Sequence, residues 1–87
     1  MKVDKKIKER LILQKEVVAL IELTKFEAKN LGLILLDRYF ANHMGIGEFT
    51  IWNMRKARTV GTKFQLKKRL KVAEKLYNSV VHNKIII

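Results

Sequence analysis

The chain contains no proline, and only four glycines, Gly32, Gly45, Gly47 and Gly61, interrupt its 87 residues. Glycine and proline are the strongest local breakers of regular structure, so these few positions mark out segments long enough to be helices. Within the segments apolar residues recur at helical spacing. Ile7, Leu11, Val17, Val18 and Ile21 follow Asp4, a capping residue type, and the pattern becomes apolar all round at Val17–Ile21. Thr24-Lys25-Phe26-Glu27 has the spacing of a capping box, and Asn30-Leu31-Gly32 that of a helix end. A long, mostly helical N-terminal region with a break at one of those two places is expected. Leu33, Leu36, Phe40 and Met44 share a face of the next helix, which ends at Gly45. A short helix from about Glu48 to Ala57 carries Ile51 and Met54 inward. Thr59-Val60-Gly61-Thr62 is a turn, with Thr62 as N-cap of a last helix from about Lys63 to His82. That helix places Phe64, Leu66, Leu70, Ala73, Leu76, Tyr77 and Val80 near one face and Lys67, Lys68, Lys71 and Lys75 on the other. The prediction is one all-α domain of four or five helices spanning 1–87, long at both ends.

Charge is distributed unevenly over this framework. The net charge is +11. Residues 1–51 hold 9 basic and 7 acidic side chains, whereas residues 52–87 hold 10 basic and only Glu74. A one-sided basic surface points to a polyanionic partner, nucleic acid before membrane. The longest apolar runs, Val17–Ile21 and Leu33–Leu36, are far short of the roughly 18 residues that span a bilayer. Met1 to Arg10 lacks the apolar core of a signal peptide. A cytoplasmic location, or a host's cytoplasm for a viral chain, is therefore expected. The apolar face of the last helix is needed to close so small a core, which argues against its lying on a membrane. With no cysteine there is neither a disulfide framework nor a thiolate metal site. No His/Asp/Glu spacing suggests a metal, Ser79 has no base near it in sequence, and no cofactor or enzymatic activity is expected. His43 reads as a packed helix residue and His82 as a partner of the last turn's carbonyls.

The stretch Asp37 to Lys56 carries the most information. Ala41 is followed by Gly45 four residues on and Ile51 six residues after that, with Phe40, Met44, Ile46 and Met54 apolar around them. A small residue lets two helices cross closely, a glycine turns the chain at positive φ, and a β-branched apolar residue plugs the core beneath the second helix. From average residue usage, such a seven-position match arises by chance in roughly one chain in a thousand. This pattern resembles the helix-turn-helix of DNA-binding proteins of the phage repressor and Cro type. The resemblance covers about 20 of the 87 residues. It implies a central helix-turn-helix over 33–58, between an N-terminal helical region at 1–32 and a basic C-terminal helix at 62–83.

The resemblance further implies that the second motif helix lies in the major groove with its N-terminal part toward the bases. Glu48, Phe49, Trp52, Asn53 and Lys56 would then face the duplex. Lys56 has donors for guanine O6 or N7, Asn53 can pair with adenine, Glu48 can accept from cytosine N4, and Phe49 can meet a thymine methyl. Arg38, Arg55, Arg58, Lys63, Lys67, Lys68 and Lys71 are the candidates for phosphates, with Tyr39 beside Arg38. Two positions depart from the family pattern. Gly47 stands where Ser or Thr is usual, a weaker cap, and Phe49 and Trp52 are bulky and apolar where polar readers are commoner. The alternative for both aromatics is a place in the core or against a protein partner.

The expectation that follows is a small transcriptional regulator of phage or mobile-element type, acting as a homodimer by occupying an operator. A single recognition helix buries little surface for tight specific binding, and the long N-terminal helix or the Ile85–Ile87 tail would supply the dimer contact. Recombination directionality, plasmid replication and terminase small-subunit roles use similar motifs. A protein-interaction module docking through Phe49 and Trp52 is the alternative from another class. RNA is a lesser candidate, because neither a stacking platform nor an RNA-module signature is visible in the sequence.

Overall fold

The computed structural model describes residues 5–58 and 61–84, the side chain of Lys6 excepted. Asp4, Thr59, Val60 and Ile85–Ile87 therefore lie outside the described residues, and with them the expected first cap and the apolar tail. The described residues form four helices, α1 (Lys5–Asn30), α2 (Asp37–Met44), α3 (Glu48–Arg55) and α4 (Lys63–Val81). The fold is all-α, with the two long helices at its ends.

α1 runs unbroken through Thr24. The Thr24 hydroxyl, fully buried, donates to the Leu20 carbonyl one turn back at 2.6 Å, so it sits inside the helix without starting a new one. The helix ends instead at Gly32, whose φ is +82°. There the Leu33 amide bonds the Ala28 carbonyl and the Gly32 amide bonds that of Lys29, the paired arrangement of a Schellman cap. The expected helical face of Leu33, Leu36, Phe40 and Met44 is corrected by this ending. Residues 33–36 leave the cap in non-helical conformation, and α2 starts only at Asp37. Leu33 and Leu36 consequently stand exposed, whereas Phe40 is fully buried.

The same cap recurs at every helix end. At α2 the amides of Ile46 and Gly45 bond the carbonyls of Ala41 and Asn42, with Gly45 at φ +69°. At α3 those of Arg58 and Ala57 bond Asn53 and Met54, and at α4 those of Lys84 and Asn83 bond Ser79 and Val80. Ala57 and Asn83 both take φ +58°. Thus α3 stops at Arg55, short of the expected Ala57. α4 starts on a complete capping box: the Gln65 amide donates to the Thr62 hydroxyl at 3.2 Å, and the Thr62 amide donates to Gln65 Oε1 at 2.9 Å.

The core gathers Val17 and Ile21 of α1, Phe40 and Ala41 of α2, Ile51 and Met54 of α3, and Leu66 and Leu76 of α4. α1 and α4 pack along their length, and the Glu9–Lys63 ion pair at 3.2 Å joins their N-terminal ends. α2 and α3 pack on that pair. Ala41, fully buried, brings little bulk to the packing of α2, and Ile51 fills the space beneath α3. Gln14, buried in α1, donates from Nε2 to the Arg58 carbonyl at 2.8 Å. Phe64 departs from expectation: it is 70% exposed on α4 rather than on the core face. It begins the helix next to the cap, where the apolar stripe starts only with Leu66.

A charged clasp ties the first three helices together. Asp37, at the first position of α2, accepts from Arg55 at 2.8 and 3.0 Å and from Lys25 at 2.6 Å, while Arg55 also donates to Glu22 at 2.5 Å. The hydrogen bonds from Arg55, aided by Lys25 and opposed by partial burial, hold the Asp37 carboxyl down at about 2 against the usual 3.8. On acidification the unfolded chain therefore takes up this proton first. The stabilisation is complete above about pH 5 and fades as pH falls towards 2. Asp37→Asn should cost about 1–2 kcal/mol at neutral pH, modest because the clasp is partly solvent-screened, and should flatten stability between about pH 5 and 2. Urea unfolding at several pH values reads both; an unchanged acid limb in the variant would contradict the assignment.

Candidate nucleic-acid interface

α3 turns Ile51 and Met54 inward and so must turn Phe49 and Trp52 outward. Phe49 is 69% exposed and Trp52 41%. Their rings stack with centroids 5.6 Å apart and planes 14° from parallel. Two cations flank the indole, Arg58 at 5.2 Å and Lys56 at 5.7 Å from its centroid. The backbone reversal at Ala57 is what brings Arg58 back over α3, and the Asn53 side-chain oxygen lies 3.5 Å from the same guanidinium. Neither aromatic is a core residue, and together they form the stacked pair that the sequence alone did not reveal. Spacing of three residues on a helix was the available signal.

The remaining candidates divide by what holds them. Arg38 donates to Glu48 at 2.9 Å, so the expected cytosine acceptor and one expected phosphate contact are paired with each other on the exposed surface. Arg55 is engaged by Asp37 and Glu22, and these bonds raise its already high pKa further. That guanidinium ties α3 to α1 and α2; it does not face outward with Trp52. Lys63 reaches Glu9. Lys67, Lys68 and Lys71 are exposed on α4 and pair with no carboxylate among the described residues.

Lys68 also lies 5.6 Å from the Phe64 ring, a cation over an exposed aromatic that repeats on α4 the chemistry around Trp52. Phe64 and Lys68 are four residues apart, a spacing from which this contact was readable. Between the α2–α3 turn and α4 runs an open groove of about 530 Å³, with His43, Gly45 and Ile46 on one side and Gln65, Lys68 and Lys71 on the other. Tyr39 packs edge-on to Phe40 at 5.4 Å and against His43 at 4.7 Å, and burial pushes its phenol pKa up. His82 caps α4 by donating from Nδ1 to the Asn78 carbonyl at 2.7 Å.

Among the described residues no cluster of His, Asp or Glu is placed to hold a metal ion, and no helix is long and apolar enough to cross a membrane. No protein-family model matches the chain, and no curated protein or solved structure is significantly similar to it.

Proposed function

We propose that this protein binds double-stranded DNA sequence-specifically, as a small transcriptional regulator of phage or mobile-element type that acts by occupying an operator. The observation that carries this reading is the α2–Gly45–α3 unit. Ala41 and Ile51 are buried, Gly45 takes the left-handed turn, and α3 presents Phe49, Trp52 and the half-buried Asn53 outward, with Lys56 exposed at its C-cap. In the helix-turn-helix reading α3 enters the major groove. Lys56 and Asn53 read bases, the Phe49–Trp52 pair packs against base edges or thymine methyls, and Arg58, Lys67, Lys68 and Lys71 take phosphates. One copy presents a single short reading helix, so two copies on a palindromic site are part of the proposal.

Selection of bound duplexes from a random library tests it directly. Enrichment of a palindrome is the expected result, and Lys56→Ala or Asn53→Ala should each relax preference at particular base pairs, by about 1–3 kcal/mol of discrimination. If both variants keep the parent's affinity and base preference, α3 is not the reader.

A second reading draws on a specific observation, the exposed stacked aromatics. Such a pair is also what a protein-docking hot spot presents. Trp52 is the only tryptophan. Its emission should respond to the selected duplex and not to a random one; response to a captured protein alone would favour docking.

A further inference from the structure

α1 carries apolar side chains on two opposite faces. Toward the core it turns Gln14, Val17, Ile21, Thr24 and Ala28. On the far side Ile12, Ala19, Leu23 and Phe26 succeed one another at intervals of seven, four and three, and all four are exposed. An exposed run of large apolar side chains on a helix ordinarily marks an interaction surface. Here α2, α3 and α4 cover the core side and leave the other bare. The segment leaving α1 adds Leu33, Ile34 and Leu36, with Ile34 84% exposed.

We propose that this bare face is where a second copy of the chain packs, α1 against antiparallel α1 about a two-fold axis. Exposure supports it: Ile12, Leu23 and Phe26 of the stripe are 49%, 46% and 60% exposed, a run of large apolar side chains of the kind that marks an interaction surface. Charge supports it as well. Along one edge of the stripe Lys15, Glu22 and Lys29 alternate in sign at heptad spacing and are all exposed. An antiparallel copy offset by one heptad sets Glu22, whose carboxylate Arg55 of the same chain already holds from one side, opposite a lysine, the self-complementarity a two-fold requires. The face also lies in the nearly neutral half of the sequence, whereas residues 52–87 hold the basic excess and would repel a like surface. A pair so formed supplies the second reading helix; that consequence rests on the DNA-binding reading, and the packing itself does not.

Sedimentation equilibrium of the full chain without DNA tests the face. At tens of micromolar the protein should run at twice the chain mass. Leu23→Glu with Phe26→Glu should weaken association by roughly a hundredfold or more at unchanged helical circular dichroism, and Phe64→Glu on α4 should leave the pair intact. Because the chain has no cysteine, Ala19→Cys gives an independent readout that does not depend on the charge variants folding. It should form a disulfide-linked pair under mild oxidation far faster than Lys67→Cys. Three results would overturn the proposal: a single-chain mass for the parent, equal cross-linking of the two cysteine variants, or loss of pairing when residues 85–87 alone are removed. A single-chain mass together with specific duplex binding would remove the face and leave the DNA reading standing.

Discussion

Affinity for duplex DNA should fall by about three to five orders of magnitude between roughly 50 and 200 mM salt, if six to ten phosphates are neutralised. Arg58, Lys67, Lys68 and Lys71 of each of two copies, eight cations together, are enough to reach that range. Each phosphate contact contributes about 0.9 to the slope of log affinity against log salt. Lys67→Ala with Lys68→Ala should therefore lower the slope by about 1.8 per copy and weaken all sequences alike. Arg55→Ala separates charge from contact. Its guanidinium is spent on Asp37 and Glu22, so its removal should lower the melting temperature and leave the salt slope nearly unchanged. Filter binding or fluorescence anisotropy over a salt series measures both. A slope near zero for the parent protein would sink the phosphate-binding surface altogether, and an equal slope loss for Arg55→Ala would show the clasp to be open in the complex.

Phe40→Ala should have the largest effect on the fold. Phe40 is fully buried among residues of all four helices and is the largest side chain of that core. Truncating a buried phenylalanine costs about 3–5 kcal/mol, because transfer and cavity terms add. For a chain of this size the whole stability is about 4–13 kcal/mol, so the variant should be partly unfolded at room temperature or have a urea midpoint well below the parent's. A loss under about 1 kcal/mol would mean that the four helices do not close on this ring. The effect should reach the interface too, since Phe40 helps set α2 on the core and α2 positions the turn into α3.

Much of this architecture was legible from residue types, and the failures share a physical cause. Gly32, Gly45 and Thr62 announced helix boundaries because the conformations there suit glycine or need a hydroxyl. Ala57 takes the same left-handed cap without a glycine to mark it, so α3 ends two residues short of the expected Ala57, whereas α4 ends within a residue of the expected His82. Thr24 carried a capping signal that tertiary burial overrode, since its hydroxyl found a carbonyl within the helix. At the interface, periodicity separated Ile51 and Met54 from Phe49 and Trp52, but it said nothing of the aromatic stack. Nor did it assign the arginines: Arg55 and Arg58 are three residues apart, and only the packed structure sends one to Asp37 and the other to Trp52. Long-range pairs of this kind have no signature in sequence spacing. The apolar far face of α1 was visible as excess hydrophobicity without a direction, and the direction came from seeing which side the other helices leave bare.

The hydrogen bond from Gln14 to the Arg58 carbonyl ties α1 to the turn that ends α3. Nothing in Arg55-Lys56-Ala57-Arg58 forbids another helical turn, since these are among the better helix formers. The chain nevertheless reverses at Ala57, in a conformation that costs an alanine about 1–2 kcal/mol. A buried amide on α1 secures the exit strand one residue later. A side chain 44 positions upstream thus takes part in holding the exposed helix's end. The span of α3, and with it the placement of Arg58 over Trp52, is a property of the packed molecule rather than of the segment that carries it.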